Sequence, residues 1–322
     1  MATQPLHQMT IAMPPSSTDH EPISPNSIEH RCGTIAIVGR PNVGKSSLLN
    51  RLIGQKLAIT SHRPQTTRHR ILGLRTEPDA QLIFLDAPGW QRKQRSAMNR
   101  MLNRTAEQVI DEADLVLWAI DSSQGLVDED LQVLSRLDQH PKKIAVLNKI
   151  DRVKIQSKLY LLAQDLSQRT RFEAIIPVSA ERATQIDVLL QACKAHLPID
   201  APRFEPDEFT DRTESFLAAE IIREKLFRLL GDELPYQSTV LIEQFSEEAS
   251  LRRIQASIVV QREAQRAIVL GQGGQGIKRI GTDARRDLER LFGSKVFLGL
   301  HVKVRDDWAS NELGLAAYGY GQ

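Results

Sequence analysis

Short runs of apolar residues recur between residues 34 and 197, with longer stretches of mixed character between them. Each run is fully apolar rather than alternating, which is typical of strands covered on both faces of a sheet. Such strands, alternating with helix-length stretches, predict an α/β domain with a mostly parallel, doubly wound sheet. The five predicted strands contain TIAIV, QLIFL, LVLWAI, KIAVL and AIIPV. A helix follows the last of them, because apolar residues recur at steps of three and four up to Leu197.

The periodicity changes in the second half of the chain. In residues 254–260 and 296–304 every second position is apolar and most positions between them are not, as in half-buried strands. Two amphipathic stretches predict helices, one before these strands and one between them. The stripe of the first comprises Phe216, Ala219, Ile222, Leu226 and Leu229. The core side of the second comprises Ile277, Ile280, Ala284, Leu288 and Leu291, and its outer side Lys278, Arg279, Arg285, Arg286 and Arg290. The order helix, strand, strand, glycine loop, helix, strand predicts an α+β domain.

The segments outside these two patterns are rich in proline and polar residues. The first thirty residues hold five prolines and no Lys or Arg, so we expect a disordered tail rather than a secretory signal or a transit peptide. A stretch with prolines and several acids follows Leu197 and predicts a linker. The predicted division is a tail at 1–32, a first domain at 33–198, a linker at 199–212, a second domain at 213–308 and a C-terminal tail at 309–322.

Composition narrows the class of protein. The 322 residues are 41% hydrophobic and 25% charged, as in ordinary soluble globular proteins. The longest apolar run, Leu115 to Ile120, is far shorter than the ~18 residues that a membrane span needs. Only two cysteines are present, which provides no disulfide framework and is typical of a reducing compartment. We therefore expect a cytoplasmic protein whose contact with a membrane is at most peripheral.

Positive charge is concentrated in two places, although the net charge is only +2. From Leu251 to Arg305 there are twelve Lys or Arg against four Asp or Glu, and Trp90 to Arg104 holds five positive and no negative residues. Basic stretches of this kind are solvated surfaces in most proteins and nucleic-acid contacts in some. The charge alone leaves both interpretations open until a binding motif falls inside one of the stretches.

The sequence GRPNVGKSS lies between the first predicted strand and a helix, and it fits the pattern G-x-x-x-x-G-K-[ST]. Its glycines allow backbone amides to surround phosphate groups, its lysine adds positive charge, and its first serine hydroxyl suits Mg²⁺. A simple structural turn needs neither that lysine nor that serine. The predicted phosphate-binding residues are Gly39, Arg40, Pro41, Asn42, Val43, Gly44, Lys45, Ser46 and Ser47.

Three further motifs follow predicted strands, where ligand-binding residues of parallel sheets collect. In NKID, the carboxylate of Asp151 accepts from the ring N–H and the exocyclic amine of guanine, which favours GTP over ATP. In VSA, backbone amides come near the guanine oxygen, and in DAPG, Asp86 would reach Mg²⁺ through water while the amide of Gly89 senses the γ-phosphate. These motifs and the residue after DAPG supply Asp86, Ala87, Pro88, Gly89, Trp90, Asn148, Lys149, Ile150, Asp151, Ser179 and Ala180.

Together these four motifs resemble the GTPase domain of translation factors, a P-loop GTPase fold. The resemblance implies that QTTRHR is the first switch segment and that Thr67 ligates Mg²⁺, with Thr66 as the alternative. Two surface threonines without a function remain a further alternative. The catalytic residues implied are Lys45, Thr67 and Gly89, and the metal-binding residues are Ser46, Thr67 and, through water, Asp86.

Two positions concern the rate of hydrolysis. Trp90 stands where many small GTPases keep a glutamine that orients the attacking water, and an indole cannot do so. We therefore expect slow intrinsic hydrolysis, with the water oriented by backbone, by another side chain or by a partner. Asn42 resembles an asparagine that helps to hold K⁺ in related GTPases, and the alternative is that it only caps the turn.

A second glycine loop, Gly271 to Gly274, lies inside the larger basic stretch and before the predicted amphipathic helix. With the element order given above, it resembles a type II KH domain, in which G-x-x-G clamps the backbone of single-stranded RNA. Residues between the two glycines are often basic in that family but are uncharged here, so the helix must supply the charge. The RNA-binding residues implied are Gly271, Gln272, Gly273, Gly274, Lys278 and Arg279. A non-binding turn is the alternative.

A GTPase domain followed by a KH domain resembles the Era family of bacterial ribosome-assembly GTPases. Further matching stretches are QTTRHRILG, EIIREKLFRLLGDELPY and IKRIGTDARRDLERLFG, so the resemblance covers about residues 34–308. It implies a monomer that binds GTP and GDP, contacts small-subunit ribosomal RNA near its 3′ end, acts in assembly of the 30S subunit and associates peripherally with the inner membrane. The alternatives are a constitutive RNA-binding protein with a structural nucleotide, a membrane-surface GTPase, and a GTPase of transfer-RNA modification.

Overall fold

The computed structural model describes residues 29–61, 63, 65–90, 96–231, 234–248, 250–306, 308, 309, 312–318 and 320. The prediction of a disordered tail therefore lies outside the described residues up to residue 28. The described residues also exclude residues 91–95 of the shorter basic stretch and parts of the C-terminal tail.

The first domain is a six-stranded sheet with helices on both faces. Its strands run in the order β2-β3-β1-β4-β5-β6, and all neighbours are parallel except β2 and β3. The elements are β1 (Arg31–Val38), α1 (Lys45–Ile53), β2 (Ile71–Glu77), β3 (Ala80–Asp86), α2 (Ala97–Asp111), β4 (Leu115–Asp121), α3 (Asp128–Leu137), β5 (Lys143–Asn148), α4 (Ser157–Arg169), β6 (Ala174–Pro177) and α5 (Ile186–His196). The prediction of a doubly wound, mostly parallel sheet is confirmed.

Two apolar cores, one on each face, hold the helices to this sheet. One contains Leu48 of α1 and Leu189 of α5, and the other contains Val109 of α2, Leu134 of α3 and Leu166 of α4. The five strands predicted from apolar runs are the five parallel strands. Their sequences are continuous apolar runs because a strand that is buried on both faces needs apolar side chains at every position.

Strand β2 was not predicted. Its first four residues are buried and its last three are partly exposed, because it is the edge strand and pairs antiparallel with β3 alone. Gly73 interrupts its apolar residues, so neither a continuous run nor a clean alternation marks it in the sequence. An edge strand of this kind can be recognised only from its partner.

Residues 199–212, predicted as a linker, pack against the outer edge of the first domain. The side-chain oxygen of Gln81 accepts from the backbone amides of Arg203 and Phe204 at 2.7 and 3.0 Å. The amide of Leu74 in β2 donates to the carbonyl of Phe209 at 2.9 Å. The segment therefore covers the free edge of β2, which would otherwise offer unpaired backbone groups to other chains.

The second domain is a three-stranded sheet in the order β7-β8-β9, with β8 parallel to β9. Its elements are α6 (Glu214–Leu229), β7 (Ser238–Glu248), β8 (Leu251–Val260), α7 (Glu263–Leu270), α8 (Gln275–Phe292) and β9 (Lys295–Val304), and α9 (Glu312–Ala317) follows. A core that includes Ile222, Ile258, Ile280 and Leu288 joins α6 and α8 to the sheet. This is the α+β domain that the alternating pattern predicted.

Three details of the second domain differ from the sequence analysis. Helix α7 was missed, because Val269 is its one buried residue and it carries no apolar stripe. Helix α6 buries charged as well as apolar side chains, including Glu220 and Arg223, because both domains pack around it. Ile277 was assigned to the core but lines a surface groove, because it lies in the first turn of α8 beside the glycine loop.

Within the described residues, no helix combines the length and apolar character that crossing a membrane requires.

Candidate functional site

The phosphate loop joins β1 to α1 and leaves the first turn of α1 open to a ligand. Gly44 precedes the helix with φ 98°, and among the described residues no side-chain cap forms at this helix start. The first turn of α1 contains no acidic residue. A Cβ at Gly44 would lie 2.4 Å from Nδ2 of Asn148, so this position needs glycine for space as well as for its backbone angle. Uncapped amides at a helix N-terminus form a binding site for anions such as phosphate.

Lys45 lies at the centre of this loop and is only 6% exposed. Its Nζ donates to the carbonyl oxygens of Gly39 and Arg40, both at 3.0 Å. Burial lowers the pKa of Lys45 to about 8, and the nearby carboxylate of Asp86 opposes this shift. The ammonium group is therefore positioned where a phosphate oxygen would stabilise its charge.

Three oxygen-bearing side chains meet beside Lys45. The Oγ of Ser46 donates to Oδ2 of Asp86 at 2.7 Å and lies 2.7 Å from Oγ1 of Thr67. The other carboxylate oxygen of Asp86 is buried without a hydrogen-bond partner among the described residues, and burial raises the pKa of this carboxyl to about 6. Hydroxyl and carboxylate oxygens are the donors that Mg²⁺ prefers, so the three residues fit this ion. Thr66 is engaged elsewhere, because its hydroxyl donates to the carbonyl of Arg63 at 2.8 Å.

Gly89, at the end of the DAPG motif (the second switch motif), closely approaches the phosphate loop. A Cβ at this position would lie 2.9 Å from Cα of Pro41 and 3.1 Å from Nζ of Lys45. The next amide, that of Trp90, donates to the carbonyl of Gly39 at 3.4 Å. The indole ring of Trp90 packs against the core with the guanidinium of Arg136 above it, 5.3 Å from the ring centre. The indole therefore occupies a structural position.

The base-recognition motifs are braced against the phosphate loop. Nδ2 of Asn148 donates to the carbonyl of Val43 at 2.9 Å, and Oδ1 of Asn148 accepts from the amide of Ala180 at 3.1 Å. Hydroxyl Oγ of Ser179 donates to Oδ1 of Asp151 at 2.5 Å. One asparagine thus fixes two loops, and a serine orients the carboxylate that the sequence analysis assigned to guanine.

Asp121, at the end of β4, was not identified from the sequence. Its Oδ2 accepts from Nζ of Lys149 at 2.7 Å, and the same ammonium group donates to the carbonyl of Asn42. Burial acts to raise the pKa of Asp121, but the hydrogen bonds from Lys149 and Ser123, together with the charge of Lys149, outweigh it and the pKa is lowered. The available signal was its place at the carboxyl end of a parallel strand, where ligand-contacting residues collect.

A cavity of about 1000 Å³ extends from the phosphate loop to the base-recognition motifs. Asn42, Ser47 and Asp151 line it from the first domain, whereas Phe227 and Arg228 of α6 line it from the second. Arg228 also donates to the carbonyl of Thr60. The nucleotide cavity is therefore walled by both domains, which the sequence motifs did not indicate.

The remaining predicted nucleotide contacts lie in the framework of this site. Arg40 donates to Asp130 at 3.1 Å and to Gln124 at 2.9 Å, which ties the loop to α3 and the residues before it. The amide of Ile150 donates to the carbonyl of Val178 at 3.2 Å. Two further residues of the second switch motif, Ala87 and Pro88, are buried.

The second glycine loop, like the phosphate loop, ends in a glycine with positive φ that directly precedes a helix. Gly273 and Gly274 have φ values of 58° and 79°, and Gly274 precedes α8 without a side-chain cap. A Cβ at Gly271 would lie 2.8 Å from the amide nitrogen of Gly276, which requires glycine at this position. Gln272, Lys278 and Arg279 are exposed beside the open amides. A helix N-terminus with adjacent basic side chains fits a phosphate group.

A groove of about 360 Å³ lies between α8 and β9 and begins at the first turn of α8, which follows this loop. Leu298 and Leu300 of β9 and Ile277 of α8 give it an apolar floor, while Lys278 and Arg285 line its basic side. An apolar floor that supports bases beside cations that attract phosphates is typical of single-stranded nucleic-acid sites.

Comparison with known proteins agrees with this two-part architecture. A family model described as a 50S ribosome-binding GTPase matches residues 34–149, and a KH-domain model matches residues 233–309. The curated GTPase Era of Xylella fastidiosa strain M12 is 46% identical over 294 residues, covering 91% of this chain and 99% of the relative. The chain belongs to the Era family of GTPases.

Other members of the Era family agree with this assignment. Era from Pseudomonas fluorescens is 46% identical over 90% of this chain and 97% of the relative. The solved structure of an Aquifex aeolicus Era variant bound to GDP and AlF4⁻ matches with a TM-score of 0.87 and 35% identity, covering 91% of this chain and all of that one. A structure of Era with MgGDPNP and nucleotides 1506–1542 of 16S ribosomal RNA matches equally well. As a member of this family, the chain hydrolyses GTP.

Proposed function

We propose that this GTPase is a switch whose nucleotide state controls binding of small-subunit ribosomal RNA, near its 3′ end, during assembly of the 30S subunit. The main support is that the segment around Thr67 contacts both the nucleotide site and the second domain. The hydroxyl of Thr67 lies 2.7 Å from Oγ of Ser46, and Arg68, the next residue, donates to backbone carbonyls of the second domain. The solved Era structure with both a GTP analogue and 16S ribosomal RNA supports the choice of RNA.

The phosphate end of the site binds and orients GTP. The open amides of α1 and Nζ of Lys45 hold phosphate oxygens, and the amide of Gly89 contacts the γ-phosphate. Ser46, Thr67 and, through water, Asp86 would hold Mg²⁺, which neutralises charge on the phosphate oxygens during transfer. Loss of the γ-phosphate removes the contacts of Thr67 and Gly89, so both switch segments are released after hydrolysis.

The base end of the site selects guanine. Asp151 accepts from the ring N–H and exocyclic amine, while Lys149 covers the base and Asn148 braces the loop. Adenine presents an acceptor at the ring position where guanine presents a donor, so it would leave the carboxylate facing an acceptor.

Potassium is a separate part of the proposal. Asn42 lies in the phosphate loop with φ 65°, and it lines the nucleotide cavity. Turnover in KCl that exceeds turnover in NaCl, and a loss of this difference in Asn42→Ala, supports a K⁺ site. Equal turnover in both salts assigns Asn42 to the turn alone, since asparagine tolerates this backbone angle.

The RNA site is the second glycine loop with its groove. Gly271, Gln272, Gly273 and Gly274 bring the RNA backbone close to the amides of α8, and Lys278 and Arg279 neutralise phosphates. The uncharged loop makes these two side chains the main source of electrostatic attraction within the motif.

The test measures RNA affinity of the full chain with a GTP analogue and with GDP, using an RNA equivalent to nucleotides 1506–1542 of 16S ribosomal RNA. We expect the two affinities to differ about tenfold, within the usual range of coupling between sites. In Lys45→Ala, GTP turnover is lost and the nucleotide dependence of RNA binding disappears. Equal RNA affinity in both nucleotide states contradicts the switch and supports a constitutive RNA-binding protein.

The cellular setting is also part of the proposal. We propose a cytoplasmic monomer with peripheral contact to the inner membrane, on the basis of the family and of the exposed basic side chains of α8. Sedimentation with anionic vesicles, with and without RNA, tests the membrane contact. Binding to vesicles that RNA does not displace favours a separate membrane surface, and absence of binding removes this part of the proposal.

A further inference from the structure

The last described residues of the chain return to the boundary between the two domains. There they form a small apolar cluster, which we call the tail cluster. Its residues are Ala97, Met98, Met101, Leu102, Val259, Trp308, Leu315 and Tyr320. The first four belong to α2, which follows the second switch motif, and Val259 belongs to the sheet of the RNA-binding domain. The C-terminal segment thus touches elements that serve both proposed sites.

Tyr320 extends these contacts to the first switch segment. It is 3% exposed, and its ring stacks on the imidazole of His69 with centroids 4.6 Å apart. Its hydroxyl accepts from Nη1 of Arg68 at 3.2 Å and lies 2.8 Å from Oγ1 of Thr239 in β7. One side chain therefore contacts two consecutive switch residues and the first residues of the second sheet.

Arg68 is held on several sides. It is 1% exposed, and its guanidinium donates to the carbonyls of Ser238, Pro235 and Tyr236 at 3.0, 2.9 and 3.2 Å. It also lies 5.9 Å from the ring centre of Tyr320. A buried guanidinium that loses a hydrogen-bond acceptor incurs a large desolvation cost, so its position is strongly constrained. Because Thr67 precedes Arg68 directly, a fixed Arg68 restricts where the hydroxyl of Thr67 can lie.

We propose that Tyr320 is a positioning residue for GTP hydrolysis, acting through Arg68 and His69 to hold Thr67 at the metal site. The inference rests on the proposed role of Thr67 as a ligand of Mg²⁺. It goes further because it assigns part of the catalytic geometry to the C-terminal segment, outside the nucleotide-binding motifs.

The test titrates GTP hydrolysis of the full chain with Mg²⁺ for wild type, Tyr320→Phe and Tyr320→Ala. Tyr320→Phe keeps the stacking on His69 and removes both hydroxyl contacts, whereas Tyr320→Ala removes all of them. We expect the half-saturating Mg²⁺ concentration to rise about threefold and about tenfold, respectively, because only part of the cost of a lost hydrogen bond to a charged group is transmitted to Thr67. GDP affinity at saturating Mg²⁺ remains at the wild-type value, because the phosphate loop and base motifs are unchanged.

Two controls separate positioning from stability. Tyr318→Ala is the matched variant, because Tyr318 lies in the same segment and its ring contact among the described residues is with Trp308 at 5.5 Å. It should leave the Mg²⁺ response unchanged. Ser46→Ala removes a proposed ligand and should shift the response. Ser46→Ala is the positive control for the Mg²⁺ response. If Ser46→Ala shifts the Mg²⁺ response and the Tyr320 variants do not, the inference is overturned, whether or not the Tyr320 variants are less thermally stable. If Ser46→Ala also has no effect, the proposed metal site is wrong and the inference fails with it.

Discussion

At the residue scale, two pairs of buried charges have different roles. Lys45 and Asp86 lie at the phosphate loop, where their charges are complementary to phosphate and Mg²⁺. Glu220 and Arg223 lie in α6 and form two hydrogen bonds to each other, at 2.6 and 2.7 Å. Burial acts to raise the pKa of Glu220, but the charge and the hydrogen bonds of Arg223, together with the other nearby cations, outweigh it and lower the pKa. The first pair serves a ligand, and the second satisfies its own charges inside the protein.

Base selection gives a prediction at the residue scale. Asp151→Asn should weaken GTP binding about 100-fold or more. The carboxylate has two acceptor oxygens for the two N–H donors of guanine, whereas the amide has one acceptor and places its NH₂ donor against a donor of the base. The same variant should gain affinity for xanthosine triphosphate, whose second carbonyl accepts from the new amide. Competition of each nucleotide against a fluorescent GDP derivative measures both affinities.

Asp165→Asn is the matched control for this change. Asp165 lies on α4 and pairs with Arg169 at the surface, so its loss should leave both affinities unchanged. An Asp151→Asn protein with wild-type affinity for GTP would show that another group reads the base.

Residues that belong to a local motif could be predicted from the sequence. The structure brings Lys45, Ser46 and Asp86 together, and it also brings Asn148 and Asp151 to the same cavity. Asp121 was missed because it lies outside any motif and acts through Lys149, 28 residues away. A partner at that distance is set by the strand order and not by local spacing.

At the element scale, α1 and α8 share one device, a glycine with positive φ before an uncapped helix start. In α1 the helix follows a parallel strand, and in α8 it follows the short helix α7. Neither first turn contains an acidic residue. The same local solution therefore offers amides to phosphate in both domains.

The two ends of α8 allow a sharp test of the RNA loop. Gly274 and Gly293 flank the helix with φ values of 79° and 64°, and an added Cβ at either position meets no atom within 4 Å. Gly274→Asp should weaken RNA binding about tenfold or more, because it places a carboxylate where a phosphate group binds. Filter binding with single-stranded RNA at fixed salt measures this effect.

Gly293→Asp provides the control at the other end of the helix. It should destabilise the protein more than Gly274→Asp, since a carboxylate is unfavourable at a helix C-terminus and favourable at an N-terminus. Its RNA affinity should equal that of wild type. Equal losses of RNA affinity in the two variants would mean that the effect arises from stability and not from the loop.

Elements with a strong repeating pattern were predicted, whereas β2 and α7 were not. The parallel strands and α8 each bury a continuous surface, which leaves a clear pattern in the sequence. Strand β2 is partly covered by residues 199–212, and α7 buries one side chain. Elements that depend on a distant segment for their burial carry a weak local signal.

At the scale of the whole molecule, an ionic cluster joins the two domains. Lys56 follows α1 and pairs with Glu224 of α6 at 2.6 Å and with Asp287 of α8 at 3.0 Å. Lys225 also pairs with Asp287. Burial acts to raise the pKa of Asp287, but hydrogen bonds from Lys225 and Lys56 outweigh it and lower the pKa to about 2. The cluster therefore stabilises the contact between domains at neutral pH.

The pH dependence follows from the direction of this shift. Because the pKa of Asp287 is lower in the folded protein than its ordinary value of 3.8, its stabilising contribution is complete above that value. It is lost as the pH falls from about 4 to about 2. Asp287→Asn should lower the midpoint of thermal unfolding at pH 7 by about 2–4 °C. The difference from wild type should shrink below pH 4.

Asp283→Asn serves as the comparison, because Asp283 lies one turn earlier on α8 and pairs only loosely with Arg286, at 3.9 Å. It should leave the unfolding midpoint nearly unchanged at both pH values. A constant difference between Asp287→Asn and wild type from pH 7 to pH 2 would contradict the assignment of the stabilisation to an ionised Asp287.

The sequence by itself determined the phosphate loop, the guanine motif, the parallel strands and the glycine loop before α8. These features depend on residues close together in the chain, because amide geometry, strand pleating and helix periodicity repeat over a few positions. Local spacing is therefore sufficient to specify them.

Only the tertiary structure decided which surfaces meet. Arg68 and Tyr320 form a hydrogen bond although 252 positions separate them, and residues 199–212 cover the edge of β2. Contacts of this kind arise from the packing of whole elements, which many sequences achieve with different residues. For that reason the nucleotide site was visible in the sequence, while its connection to the second domain was visible only in the fold.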